Sequence, residues 1–306
     1  VLAAALILDA WLGEPRWLWS RLPHPVVVMG RAIGALDRRW NAGRARRAKG
    51  ALMLALVAGG AAASGWALGR LPLGPAWEVL AAAILLAQRS LAQHVGAVAD
   101  GLGRDLGAGR RAVAMIVGRD TDAMDAAAVA RAGIESAAEN LSDGVIAPAF
   151  WFAVGGLPCM LAYKAINTAD STVGYLTPRH RAFGWAAARA DDAANWIPAR
   201  LTALLILLAC APRRLRALWP QVAREARLHR SPNAGWPEAA LAPVLGVALS
   251  GPRAYGGRMR DYAWVNPAGR RDAGPGDVRA AVAALWRTWT LSLGLALVMA
   301  SLARLG

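Results

Sequence analysis

Residues 51–69 read ALMLALVAGGAAASGWALG, nineteen positions without a charged side chain. A helix needs roughly 20 apolar residues to cross a bilayer core, so this stretch reads as a transmembrane helix. Immediately beyond it, residues 71–87 are interrupted only by Glu78, and the intervening Arg70-Leu71-Pro72-Leu73-Gly74-Pro75 is short enough only for a tight helical hairpin. Further apolar candidates are residues 144–163, 197–211, the short 239–250, and 280–303 with Arg287 inside it. The opening residues 1–12 are apolar but carry Asp9, with neither a basic leader nor a small-residue cleavage site. They are expected to be a helix of the mature protein.

The composition agrees with this reading. Of 306 residues 56% are hydrophobic, and mean hydropathy is +0.32, which argues against disorder and for membrane burial. Lys and Arg number 35 against 20 Asp and Glu, a formal charge of +15. Residues 13–50 alone hold Arg16, Arg21, Arg31, Arg38, Arg39, Arg44, Arg46, Arg47 and Lys49 against Glu14 and Asp37. The positive-inside rule puts that segment in the cytoplasm. The polar stretch at about 88–143 and the basic loops 213–230 and 253–279 are expected there too. The charge is then topological, and no nucleic-acid surface is needed to explain it. Cys159 and Cys210 sit in apolar runs without metal-type spacing and read as small core residues.

Ala, Leu and Arg dominate and β-branched runs are scarce, which favours helix. The expected fold is an all-α, polytopic integral membrane protein of about 5–8 hydrophobic helices, re-entrant segments included, in a single membrane-embedded domain over residues 1–306. One local ambiguity is Ala112-Val113-Ala114-Met115-Ile116-Val117, which periodicity leaves open between a strand and a buried helical turn.

Polar residues gather in three clusters. From Gly118 to Asp143 run Arg119, Asp120 and Thr121, then a helix on which Arg131, Glu135 and Glu139 share a face, then Asn140, Ser142 and Asp143. Thr121 or Asp122 is the expected cap of that helix. A solvated salt-bridge face would explain the four-residue spacing, but this face leads straight into residues 144–163, where carboxylates are costly and usually functional. The second cluster sets Lys164, Asn167, Asp170 and Ser171 at helical spacing, suited either to an anionic phosphate or to a capped helix end. The third is Arg189, Asp191, Asp192, Asn195 and Arg200; adjacent carboxylates there imply a cation or an arginine partner. His24 lies between prolines, and His229, Ser231 and Asn233 lie in a Pro-bearing loop. Neither G-x-x-x-x-G-K-[ST] nor G-x-G-x-x-G occurs, so ATP, if used, is not held by a P-loop.

In these stretches the chain resembles the adenosylcobinamide-phosphate synthase family of cobalamin biosynthesis, the CobD/CbiB type of membrane protein. The matching residues, in family order, are Asp9 with Gly13-Glu14-Pro15, Pro23-His24-Pro25-Val26, Ile116 to Thr121, Glu135-Ser136 through Asp143-Gly144, Tyr163-Lys164, Ile166-Asn167-Thr168, Asp170-Ser171, Phe183-Gly184, Asp191-Asp192 with Asn195, Pro198-Ala199-Arg200, and Ser231 to Glu238. Departures are Glu14 for Asp, Ala169 for Leu and Cys159 for Gly.

The resemblance implies an ATP-dependent amide ligation of adenosylcobyric acid with (R)-1-amino-2-propanol or its O-phosphate, with ATP and Mg²⁺ as cofactors. It implies catalytic roles for Asp120, Glu135, Glu139, Lys164 and Asp191, and metal binding by Asp143, Asp170 and Asp192. Substrate and phosphate contacts fall to Arg119, Asn140, Asn167, Ser171, Asn195, Arg200, His229, Ser231 and Asn233. Implied partners are the corrinoid, the amine, membrane lipid and other cobalamin-assembly enzymes, with no nucleic acid. The implied location is the inner cell membrane, multi-pass, with the site open to the cytoplasm. If residues 144–163 span the membrane, however, the clusters on either side of them emerge on opposite faces. A re-entrant course, broken at Pro148, Gly155-Gly156 and Pro158, would resolve this, as would a polar cavity at membrane depth. The alternative function is a non-enzymatic membrane binder or transporter using the same polar residues.

Overall fold

A computed structural model describes residues 1–255 and 258–302. Among the described residues the fold is α-helical apart from two short antiparallel pairs, Leu249–Ser250 with Trp264–Val265 and Arg253–Tyr255 with Arg258–Arg260, and one isolated parallel bridge, Val247 with Arg270. Among the described residues three helical runs are long and apolar enough to cross a membrane: Arg46–Gly69, Ala126–Val173 and Pro275–Leu302. A fourth results if the bent pair Trp185–Ala194 and Trp196–Cys210 makes one span. Shorter apolar helices accompany them, among them Leu2–Leu12 and Gly74–Leu85.

Several expectations are corrected. The helix within residues 71–87 is only Gly74–Leu85, 12 residues, because Leu86 turns to extended backbone. At 1.5 Å per residue it rises about 18 Å, short of the ~30 Å hydrocarbon core. The Ala112–Val117 ambiguity resolves as the end of helix Leu106–Ala114 and a following turn. The next helix is capped by neither Thr121 nor Asp122: it begins at Ala126, and Asp125 Oδ1 accepts the Ala128 N–H at 2.7 Å. Asp is favoured at that position because it satisfies an orphan donor of the first turn.

The expected break after residue 144 is present. Helix Ala126–Leu141 passes through a π turn, Ser142–Ile146, into Ala147–Val173, and that helix leaves helical geometry at Gly155 and Gly156. Pro158 follows, without an N–H to continue the ladder.

The chain divides into two compact units interleaved in sequence: Val1–Ala87 with Asp143–Trp196, and Gln88–Ser142 with Ile197–Gly306. In the first, Arg46–Gly69 packs along Ala147–Val173, with Pro25–Trp40 and Trp185–Ala194 against them. Its core is Ile33, Met53, Ala169, Val173, Phe183 and Ala187. The helices approach closely at Gly65, where a Cβ would stand 2.8 Å from the Pro158 nitrogen. Small residues at such crossings are what membrane helices use to bring backbones together. In the second unit, Gln88–Arg104, Ala126–Leu141 and Pro275–Leu302 pack on one another, burying Val95, Val98, Ile134 and Leu285.

Candidate functional site

Each unit concentrates its polar residues around one buried group. In the second unit that group is Glu135, 5% exposed. Its Oε2 accepts from Arg119 Nη2 at 2.7 Å and from Arg253 Nη1 at 3.1 Å, while Oε1 accepts the Ser250 N–H at 2.7 Å. Helix Ala126–Leu141 supplies the carboxylate, the loop before it supplies Arg119, and the turn at Ser250-Gly251-Pro252 carries Arg253 in. That turn requires positive φ at Ser250 (64°) and Gly251 (74°), and a Cβ on Gly251 would meet the Trp264 ring at 2.6 Å. Both Glu135 oxygens are engaged, so in this geometry the carboxylate anchors two guanidiniums. They line a cavity of about 240 Å³ with Asp120, Asp125 and Arg131.

Beside it in the same unit, Ser231 Oγ accepts the N–H groups of Asn233 and Ala234, both at 3.2 Å, and shapes the 229–236 loop. Arg200 donates to Asn233 Oδ1 at 3.3 Å and lies over the Trp236 ring. His229 Nδ1 accepts the Ser231 N–H at 3.0 Å, which leaves the Nε2 proton facing Glu238 Oε1 at 3.8 Å. Glu238 is 2% exposed, and its Oε2 has no hydrogen bond among the described residues. Burial, with the charges of Glu135 and Glu139, pushes the Glu238 carboxyl well above its usual range, against the opposing pull of Arg253 and Arg119. Burial likewise lowers His229. Glu139 and Asn140 stand exposed one turn beyond Glu135, with Asn140 Nδ2 donating to the Ser136 carbonyl at 2.9 Å.

In the first unit the hub is Tyr163. Its Oη lies 2.9 Å from Asn195 Oδ1 and 3.1 Å from the Asp143 carbonyl, sharing one proton between them. One turn along, Asn167 Nδ2 donates to Asp191 Oδ1 at 3.1 Å. Lys164 is buried, with the carboxylates of Asp143 and Glu14 in electrostatic reach. His24 caps helix Pro25–Trp40 through Nδ1, and its Nε2 donates to the Ile84 carbonyl at 3.1 Å, fixing a neutral tautomer. Burial holds that imidazole below its usual value.

The structure thus gathers Asp143, Lys164, Asn167, Asp191 and Asn195 in one unit, and Arg119, Asp120 and Glu135 in the other. Ser171 is exposed and bonds back to the Asn167 carbonyl; Asp192 meets Arg189 at 3.5 Å. Asp143, Asp170 and Asp192 lie on a π turn, a helix end and another helix. Among the described residues no three His, Cys, Asp or Glu side chains converge to hold a metal ion. A protein-only Mg²⁺ cage is therefore not built from these three aspartates; one or two carboxylates completed by phosphate oxygens would still suit Mg²⁺. Sequence reasoning missed Ser250 and Arg253, which lie 115 and 118 residues from Glu135. It quoted Glu238 among the matching residues but gave it no role, although Glu238 is the one acid in the apolar helix Gly235–Leu245.

Comparison with known proteins places this architecture. The family model for CobD/Cbib protein matches residues 2–285. The chain belongs to the CobD/Cbib family. This family member is 51% identical over 296 residues to the cobalamin biosynthesis protein CobD of Rhizobium meliloti (strain 1021), covering 92% of this chain and 90% of that protein. It is 49% identical to the protein of the same name from Brucella anthropi, covering 96% and 94%, and 47% identical to that of Rhodobacter capsulatus, covering 98% and 97%. No solved structure matches the chain. Its apolar helices mark this CobD/Cbib protein as a membrane protein.

Proposed function

We propose that the chain acts in cobalamin biosynthesis as an ATP-dependent amide ligase. It would join adenosylcobyric acid, through its remaining propionate, to (R)-1-amino-2-propanol or its O-phosphate, giving adenosylcobinamide or its phosphate. The observation that carries this reading is the extent of the likeness to CobD proteins, which takes in the residues of both polar clusters.

A carboxylate is a poor acyl donor. Transfer of one phosphoryl group from the nucleotide makes an acyl phosphate and ADP; the amine nitrogen then attacks the acyl carbon, the C–O bond to phosphate breaks, and nitrogen gives up a proton. Basic residues answer the charge that develops on the phosphoryl group, and the Glu135-anchored guanidiniums of Arg119 and Arg253 are held for that purpose. Within the first unit, one or two carboxylates of the Asp143, Asp170 and Asp192 set would hold Mg²⁺ together with phosphate oxygens, and the ion would supply charge neutralisation there. Asn167 and Asn195, each fixed by a neighbour, are placed to orient amide or phosphate oxygens. The site is expected to open to the cytoplasm from the inner membrane, where ATP is available.

The test is direct. Purified protein with adenosylcobyric acid, aminopropanol phosphate and Mg-ATP should form ADP and the amide in equal amounts. Alanine at Asp120, Glu139 or Asp191 should abolish ligation while leaving membrane insertion intact. Binding of the corrinoid without turnover would replace this reading with that of a membrane binder, and full activity in all three variants would remove these residues from the chemistry.

A further inference from the structure

We infer that the basic end of the first unit, where helices Pro25–Trp40 and Arg46–Gly69 meet the 179–185 segment, is a docking surface for an anionic phospholipid, with the lipid phosphate among its arginines. None of the residues given to the ligation takes part, so this surface and the ligase reading stand or fall separately.

Several pieces of chain converge there. Gly50 lies so close to the Phe183 carbonyl that no Cβ fits between them, which sets the start of Arg46–Gly69 against His180–Phe183. Lys49 Nζ donates to the Ala42 carbonyl at 2.9 Å, and Asn41 Nδ2 donates to the Arg179 carbonyl at 3.0 Å. Arg38, Arg39, Arg44, Arg46, Arg47 and Arg181 are thereby gathered at one end of the unit, and all but the half-buried Arg46 are exposed. Between Glu14 and Glu78, and again from Ser171 to Ala190, the sequence carries a single acid, Asp37. Its carboxylate pairs with Arg179 at 2.6 Å, with His180 at 3.6 Å, and these two are also its electrostatic neighbours. Among the described residues no acid forms an ion pair with any of the six arginines. Arg47 lies 5.5 Å from the Trp185 ring centroid, a contact that leaves its charge in place.

Depth selects the anion. The uninterrupted apolar run of the span begins at Ala51, four residues beyond Arg47, which is a rise of about 6 Å. The headgroup layer on either side of a bilayer core is on the order of 5–8 Å deep, so these guanidiniums fall at phosphate level. Trp185, 46% exposed beside Arg47, fits the same layer, where amphipathic rings collect. Leu52 and Leu56 stand exposed one turn apart just inside it and give acyl chains an apolar seat. A phosphodiester offers guanidinium forks the oxygens they match, and basic clusters beside a span draw anionic lipid. A soluble phosphate would meet the arginines but leave the leucines and the indole unused.

Lipid binding in detergent is the test, because no leaflet is present there to favour one orientation of the basic segments. Native mass spectrometry of the full-length protein, given equal amounts of phosphatidylglycerol and phosphatidylcholine with the same acyl chains, should show phosphatidylglycerol retained in preference. Arg44→Gln, in the exposed connection between the two helices, should weaken that retention about fivefold. The triple variant Arg44→Gln/Arg47→Gln/Arg181→Gln should lose the preference altogether. An unfolding midpoint in phosphatidylcholine equal to that of wild type shows a variant to be folded, and Arg44→Gln carries the test by itself if the triple variant is not. Inorganic phosphate at the concentration of the lipid should not displace phosphatidylglycerol. Equal retention of the two lipids by wild type, or a preference undiminished in every folded variant, would overturn the inference. Displacement by inorganic phosphate would overturn it as well, and would make the patch a site for soluble anions.

Discussion

Two buried glutamates in the second unit have opposite surroundings. Glu135 has donors on both oxygens, two of them cationic, so its charge is satisfied where it lies. Glu238 has His229 at 3.8 Å from one oxygen and no hydrogen bond on the other among the described residues. Burial and the neighbouring acids therefore raise it. A carboxyl raised in the folded state binds more protons there than in the unfolded chain, whose value is about 4.5. Its contribution to stability is full below that value and is lost as pH rises toward and through the folded one. Glu238→Gln removes this dependence. Thermal unfolding in detergent, followed from pH 4 upward, should fall less steeply for Glu238→Gln than for wild type, and the variant's relative stability should be greatest at the alkaline end. Identical slopes would mean that Glu238 is charged throughout.

At the scale of helices, the contact between Arg46–Gly69 and Ala147–Val173 depends on a missing side chain. A Cβ on Gly65 would stand 2.8 Å from the Pro158 nitrogen and 2.9 Å from the Leu157 carbonyl carbon, both backbone atoms that cannot rotate away. Gly65→Ala should therefore cost about 1–3 kcal/mol, read as a lowered unfolding midpoint in detergent. An unchanged midpoint would show that the crossing is looser than it stands here. The 51–69 helix itself was legible from composition, because nothing but an uninterrupted apolar run is needed to announce a span. Gly155-Gly156 and Pro158 announced the break for a similar reason: the residues that permit it are the residues that make it. The end of the 71–87 stretch was not legible, since the extended Leu86 lies in an unbroken apolar run. Arg119 and Glu135 stood out as neighbours in one polar stretch. Arg253 did not, because the turn that carries it to Glu135 is set by Ser250, Gly251 and a ring 13 residues beyond the glycine, at Trp264.

For the molecule as a whole, the open question from the sequence was which face of the membrane the Lys164 to Asn195 residues serve. Within the first unit an ion pair bears on it. Arg179 Nη2 donates to Asp37 Oδ2 at 2.6 Å, and Asn41 Nδ2 donates to the Arg179 carbonyl at 3.0 Å. These bonds hold the turn after helix Ala147–Val173 against the end of helix Pro25–Trp40, beside the basic stretch Arg44 to Lys49. Burial alone would raise Asp37, but Arg179 and Asn41 outweigh it and hold the carboxyl below its usual value, as expected for a charge that is used. The positive-inside rule applied to the basic stretch then predicts Thr177 on the cytoplasmic side with it. Leu71, just beyond the far end of Arg46–Gly69, is then predicted on the other side. In a background with Cys159 and Cys210 replaced by serine, Thr177→Cys and Gly43→Cys should react with a membrane-impermeant maleimide only when the cytoplasmic face is open. Leu71→Cys should react from the outside. Labelling of Thr177→Cys and Leu71→Cys from the same face would break the link between the Asp37–Arg179 pair and topology, and would leave residues 144–163 as a span that separates the two polar clusters.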